Sequence, residues 1–222
     1  YDIMHHGADE AARQKAGDLV ALLTPIIKSY GSERGFENVS EALQVMGGAG
    51  FTQDWPVEQY LRDVRIALIY EGTNHIQALD LVGRKLSMKG GRLLQTFAGE
   101  LSDVLGKCAS DPELEPFTTI LGKHAMKLEQ VTMELGGRAM SDNEQMGAAA
   151  SNYLNLFALV VLGTVWLKQL DYLSGQPDSD FKRGKLQTAR YFFEMVMPEA
   201  ALFAKLSLVG KDPMMDFDTD LL

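Results

Sequence analysis

Apolar residues recur at helical spacing along almost the whole of this 222-residue chain, and no stretch alternates convincingly at the period of two that a strand requires. Behind Pro56, a residue suited to a first helical turn, Val57, Tyr60, Leu61, Val64 and Leu68 form one stripe over 56–68. Residues 73–86 set Ile76, Leu79, Val82, Gly83 and Leu86 on one face, and residues 92–107 do so with Leu93, Leu94, Phe97, Leu101, Val104 and Leu105. Over 117–140 the stripe is Phe117, Ile120, Leu121, His124, Leu128, Val131 and Leu135. Further helices are expected over 9–30, 145–173 and 180–208, the last interrupted at Pro198. The pattern predicts an all-α chain, one helical bundle followed by a second.

Glycine and proline clusters mark the expected breaks: GSERG at 31–35, GGAGFTQDWP at 47–56, MKGG at 88–91, SDPELEP at 110–116 and SGQPDSD at 174–180. Ser40 reads as the N-cap of a separate helix that runs into Gly47 and Gly48. MKGG is the expected boundary between an N-terminal unit, 1–88, and a C-terminal one, 89–222. The acidic stretch DPMMDFDTDLL at 212–222 reads as loosely ordered.

Charge narrows the partners. Thirty acidic residues against 21 Lys and Arg give a net charge of −9, which disfavours phosphate neutralisation and hence nucleic acid, and also an anionic membrane surface. LFALVVLGTVWL at 156–167 is 12 residues long, short of the roughly 20 that span a bilayer. Asn152, Asn155, Lys168 and Asp171 flank it, so a buried central helix is expected. Cys108 is the only cysteine, which leaves no disulfide framework and fits a reducing, cytoplasmic setting. The first residue is Tyr1 and no signal peptide is visible, the pattern of a piece of a longer chain.

Two places carry candidate chemistry. In IYEGTNHIQ, 69–77, Glu71 is pinned between Tyr70 and Gly72, and Thr73 opens the next helix. A carboxylate at a helix start is favoured by the helix dipole; the same fixed, accessible position suits a proton-abstracting base. Gly47 and Gly48 expose backbone N–H groups to a close ligand, or simply end a helix. The residues alone leave both pairs of readings open. His5 and His6 are adjacent but lack the further ligands a metal needs, and His124 reads as a hydrogen-bonded core histidine. Glu58 and Arg62 read as a surface pair at i,i+4. Trp55 and Trp166 read as packing residues, Trp55 having the better chance of facing an interface; the 11 methionines suit adaptable packing between helices.

EALQVMGGAGF at 41–51, PVEQYLRDVRI at 56–66 and IYEGTNHIQ, in that order, resemble the C-terminal helical domain of the acyl-CoA dehydrogenase family over residues 1–86. The rest resembles the C-terminal extension of long members such as the 3-methylmercaptopropionyl-CoA dehydrogenases. The resemblance implies an FAD-dependent α,β-dehydrogenation of an acyl-CoA thioester, in which Glu71 takes the α-proton while a hydride passes to the flavin. Partial burial against substrate and flavin would then raise the Glu71 pKa, and its backbone N–H would help to stabilise the thioester oxygen. It further implies that Gln44, Gly47 and Gly48 bind FAD, commonly that of a neighbouring subunit, that Thr73 and His75 touch a flavin's phosphate or adenine half, and that Gly72 lies beside the thioester. Relatives often carry an amide or a small residue where His75 stands. Arg62, Asp63 and Arg65 would make structural ion pairs. The implied partners are acyl-CoA, an electron-transfer flavoprotein as acceptor and further copies of the chain in a dimer or tetramer; the 222 residues alone would be inactive. The competing class is a non-enzymatic helical oligomerisation or regulatory module that kept the fold, against which the retained YEGT speaks. A DNA-associated branch of the same superfamily is disfavoured by the acidic balance.

Overall fold

A computed structural model describes residues 1–216 and 218–221, and every regular element among them is helical. After the short α1 (Asp2–His6), Asp9 Oδ1 caps α2 by accepting from the Ala12 amide at 2.7 Å. α2 then runs from Glu10 to Met46 without a break. The break expected at 31–35 is absent, and Ser40 lies inside a helix rather than at its start. Gly31 and Gly35 each cost a helix about 1 kcal/mol relative to alanine, but tertiary ties outweigh that. Tyr30 is buried, Arg34 sits over the Tyr30 ring at 5.1 Å and bonds Glu199 at 2.7 Å, and Gly35 lies against Val64.

A 3₁₀ turn at Gly47–Phe51 leads to α3 (Val57–Arg65), and a second at Ile66–Leu68 to the 69–73 loop. α4 (Asn74–Asp80) then passes into a widened turn at Leu81–Lys85. α3 and α4 both pack on α2. The remaining helices are α5 (Arg92–Cys108), α6 (Glu115–Ala139), α7 (Glu144–Ser174), α8 (Asp180–Tyr191), α9 (Glu199–Ser207) and α10 (Asp212–Met215). Pro198 interrupts the last long helical run as expected. It has no N–H and crowds the turn before it, and the chain answers with a widened turn at Phe192–Val196 in which the Met197 amide reaches the Phe192 carbonyl at 2.8 Å. Phe217 and Leu222, in the acidic stretch expected to be loosely ordered, lie outside the described residues.

α7 is the axis of the molecule, with α2, α4, α5, α6 and α9 packed round it. By length and composition it is apolar enough to cross a membrane, but 67% of its most apolar window is buried inside the protein. A Cβ at Gly163 would meet Leu121 Cδ1 at 2.8 Å, so this glycine sets how closely α6 and α7 approach. Phe157 stacks obliquely on Phe97 at 5.1 Å, and Phe117 on Phe193 at 5.1 Å. Leu22, Ile26, Ala78 and Leu81 from the first 88 residues share one continuous core with Leu93, Phe97, Tyr153 and Phe157.

Polar ties stitch the same join. Asp18, 1% exposed, accepts from Lys89 at 2.9 Å and from Arg92 at 2.7 and 3.2 Å. Lys89 belongs to the Met88–Gly91 turn and Arg92 opens α5 directly after it; in the turn Lys89, Gly90 and Gly91 have φ of 54°, 69° and 82° in succession. Glu100 on α5 pairs with both Lys15 of α2 and Lys168 of α7. Among the described residues no buried side-chain N or O lacks a partner.

Local expectations fare unevenly. Trp166 packs obliquely on Phe192 at 6.3 Å, and Trp55 is exposed. Among the described residues Glu58, Arg62, Asp63 and Arg65 form no ion pair; Arg65 instead lies over the Phe36 ring at 5.6 Å. α3 has no buried residue, so its charged side chains stay solvated and a surface pair there offers little over two hydrated ions. His124 is largely buried, but the hydrogen bond expected of it is missing: among the described residues its ring nitrogens bond to no protein group, and they keep contact with solvent. Its pKa is pushed below the ordinary value by burial and by the Lys123 charge. No group of His, Cys, Asp and Glu among the described residues can hold a metal.

Candidate active site

The 69–77 segment is where backbone geometry departs furthest from the helical norm within the first unit. Glu71 is a non-glycine residue at φ 57°, and Gly72 follows at φ 82°. A side chain with a Cβ pays for the left-handed region, at roughly 1–2 kcal/mol. Gly72 accepts it freely, and a Cβ there would also meet Gln77 Nε2 at 3.2 Å and Ile76 Cγ2 at 3.4 Å. The two successive left-handed residues turn the chain sharply between the Ile66–Leu68 turn and α4. Thr73 sits at the N-cap of α4, as expected, but its hydroxyl makes no capping bond.

The loop is bolted to the middle of α2. Lys28 Nζ donates to the Gly72 carbonyl at 2.6 Å and to Asn74 Oδ1 at 3.0 Å. Ser32 Oγ donates to the same Oδ1 at 3.1 Å, Asn74 Nδ2 donates to the Ser29 carbonyl at 3.2 Å, and Ser29 Oγ donates to the Asn74 carbonyl at 3.3 Å. From the other side Gln77 Nε2 donates to the Glu71 carbonyl at 2.6 Å. The Glu71 carboxylate is exposed and has no hydrogen bond or ion pair among the described residues. A fixed backbone thus carries a free, accessible acid.

The other sequence-derived candidates separate into two places. Gly72, Thr73 and His75 adjoin Glu71, and His75 Nδ1 lies 2.9 Å from Ser151 Oγ, which ties α4 to α7. Gln44, Gly47 and Gly48 stand at the far end of α2. From Ser32 to Gly47 is fifteen residues, about 22 Å along a helix axis, so these glycines do not join Glu71 within one copy. Gly47 has φ 59°, and nothing lies within 4 Å of where a Cβ on Gly47 or Gly48 would stand. Gly50, given no role from sequence, is the glycine that packing requires, since its Cβ would meet Met46 Cβ at 2.7 Å and the Leu43 carbonyl at 2.9 Å.

Lys28, Ser29, Ser32, Asn74 and Gln77 were not singled out by sequence. A signal existed on α2, where Ser29 interrupts the otherwise apolar buried face carrying Leu22, Pro25, Ile26 and Tyr30, with Lys28 and Ser32 at its margin. A concavity of about 840 Å³ between α5 and α6 contains none of the candidate residues, and Glu129 is its only charged wall residue. With so little polar chemistry converging there, it offers no catalytic constellation.

Comparison with known proteins bears on the family and the fold. Residues 4–86 match the family described as acyl-CoA dehydrogenase, C-terminal domain, and residues 96–218 the family described as acetyl-CoA dehydrogenase C-terminal like. The broad-specificity linear acyl-CoA dehydrogenase FadE5 of Mycobacterium tuberculosis is 29% identical over 208 residues, which is 87% of this chain and 33% of the relative. The 3-methylmercaptopropionyl-CoA dehydrogenase of Ruegeria pomeroyi is 32% identical over 213 residues, 90% of this chain and 35% of the relative. The chain therefore spans about a third of the length of these curated relatives. Among solved structures, Caenorhabditis elegans ACDH-11 in complex with C11-CoA superposes with a TM-score of 0.72 at 20% identity, over 85% of this chain and 30% of that one. An acyl-CoA dehydrogenase complexed with FAD from Bacillus anthracis gives 0.69 at 21% identity, over 83% and 32%. The fold, the two matched segments in order and the relatives lead to one conclusion: the chain belongs to the acyl-CoA dehydrogenase family.

Proposed function

We propose that this chain is the C-terminal part of a flavin-dependent acyl-CoA dehydrogenase and that Glu71 is its base. The observation that carries the reading is the combination at residue 71: a strained, tethered backbone with a side chain that has no partner among the described residues. A structural acid would be expected to cap, pair or face away without strain. Glu71 accepts the proton released from the α-carbon of an acyl-CoA thioester, and the Glu71 N–H donates toward the oxygen on which charge develops. Gly72, with no Cβ, lets the thioester lie against the backbone.

The residues present fit FAD. Gly47 and Gly48 border open space, Gln44 is exposed and the Thr73 hydroxyl has no partner among the described residues, so all four have contacts to give. The chemistry FAD supplies when bound is acceptance of the hydride from the β-carbon. Because Gln44, Gly47 and Gly48 lie a helix-half away from Glu71, they serve the cofactor of a second copy, while Thr73 and His75 serve that of their own. Self-association is supported by the exposed Val45, Phe51, Trp55, Tyr60, Ile66 and Tyr70, an apolar density that solvent-facing helices rarely keep. An acyl-CoA substrate fits the relatives' names, and an electron-transfer flavoprotein is the proposed acceptor. The units 1–88 and 89–222 are the proposed division of the chain, and the 222 residues by themselves are proposed to lack turnover.

The test is Glu71→Gln in the full-length protein loaded with FAD. The variant keeps size and hydrogen bonding, so FAD and acyl-CoA still bind. Anaerobic flavin reduction by substrate falls by about 10²–10⁴-fold or more. Bleaching at the wild-type rate would leave Glu71 a surface acid and remove the reading.

A further inference from the structure

We propose that Lys28 and Asn74 are positioning residues of the base, holding Glu71 in the left-handed conformation from which it reaches substrate. The proposal rests on Glu71 being the base and names what aims it. A non-glycine residue at φ 57° persists only where its surroundings over-determine it. Here the restraint acts just after the strained residue. Gln77 holds the Glu71 carbonyl, Lys28 holds the Gly72 carbonyl, and Asn74 fastens the next turn to Ser29 and Ser32.

Lys28 is the unusual member. It is half-buried, and among the described residues no carboxylate pairs with it; its two contacts are neutral oxygens, Gly72 O and Asn74 Oδ1. Partly desolvating an ammonium without a counter-charge is unfavourable, so ion pairing does not account for its placement. What it gains is reach, since its long stem spans from α2 to a loop 44 residues away in sequence. Asn74 complements it. Its Oδ1 takes two donors and its Nδ2 gives one proton to α2, leaving the side chain a single available orientation. Neither residue touches the reacting atoms; both act through the φ of Glu71.

The experiment uses the full-length, FAD-loaded protein in the variants Lys28→Met, Lys28→Arg, Asn74→Ala and Glu71→Gln, with Arg183→Ala, an exposed pair on α8, as control. In Lys28→Met and Asn74→Ala, flavin reduction at saturating acyl-CoA slows by about 10–10²-fold, the scale set by misplacing a catalytic group by an ångström. FAD content and the Kd from acyl-CoA-induced absorbance changes stay within about twofold of wild type. Lys28→Arg recovers most of the rate, and Arg183→Ala changes nothing. Independently of turnover, amide hydrogen exchange of the 69–77 segment quickens in Lys28→Met while α7 keeps its protection. Reduction within about twofold of wild type in Lys28→Met and Asn74→Ala, alongside an inactive Glu71→Gln, overturns the positioning role and leaves the base in place. A Glu71→Gln that bleaches normally removes the base itself. Loss of FAD together with loss of α7 protection in both variants makes these residues general supports of the fold and also overturns the proposal.

Discussion

Asp18 offers the sharpest quantitative check on the join between the two halves. Asp18→Asn keeps shape and volume, but Asn accepts only at Oδ1, and its Nδ2 would face the Arg92 Nε that now donates at 2.7 Å. Three charge-assisted bonds become at most one or two weaker ones. Each such bond contributes about 1.5–3 kcal/mol. Lys89 and Arg92 are 45% and 40% exposed and rehydrate when released, so the net loss is about 2–4 kcal/mol rather than the full sum. For a chain of this size that lowers Tm by about 4–16 °C. Arg92, and then Lys89, hold the Asp18 carboxyl below its ordinary 3.8. The unfolded chain therefore takes up the proton first. The stabilisation is complete above pH 3.8 and is lost as pH falls through the lower folded value. Denaturation of wild type and variant at neutral pH and near pH 2 reads both effects. A neutral-pH difference under about 0.5 kcal/mol would refute the ion-pair argument, and one that persists undiminished in acid would make the effect steric.

Two further outcomes follow from buried polar groups. The single Thr132 hydroxyl proton goes to the Leu128 carbonyl at 2.7 Å, so the Tyr153 phenol is the donor in their 2.6 Å contact. Thr132→Val strands that buried donor at about 1–3 kcal/mol, whereas Tyr153→Phe costs about 1 kcal/mol and the double variant less than the sum; equal single costs in a urea-denaturation cycle would contradict the donor assignment. Burial and Lys123 depress the His124 pKa, so the unfolded chain binds its proton first and wild-type stability falls as pH drops below 6.5. His124→Gln should flatten that part of the urea-midpoint profile, and an unchanged slope would place the titration elsewhere.

The helical class was legible because burial imposes the same period throughout, and Leu93, Phe97, Leu101, Leu121, Leu128 and Leu135 occupy the core the stripes predict. Continuity of α2 was not. Local propensity penalises Gly31 and Gly35, while the ties that compensate, Arg34 to Glu199 and Ser32 to Asn74, span 165 and 42 residues. No window of neighbouring residues contains that information. The surface pairs expected on α3 failed for the opposite reason: spacing permits Glu58 and Arg62 to meet, but on a helix with no buried residue nothing compels them to.

The candidate site divides along the same line. Its position was legible, because an acid between an aromatic and a glycine before a helix start is a local pattern. Its geometry was not, because φ 57° at Glu71 reverses the preference of any residue with a Cβ and is sustained by Lys28, 44 residues upstream of the carbonyl it grips. Sequence therefore names the proposed base more readily than the residues proposed to aim it. In this chain Lys28, and the Ser29 and Ser32 that anchor Asn74, sit on the very helix whose continuity the local pattern denied. A break at 31–35 would have uncoupled Ser32 from Lys28 and Ser29 and left Asn74 with half its anchor. The unbroken α2 is thus what lets a loop without buried apolar side chains hold a strained backbone in place.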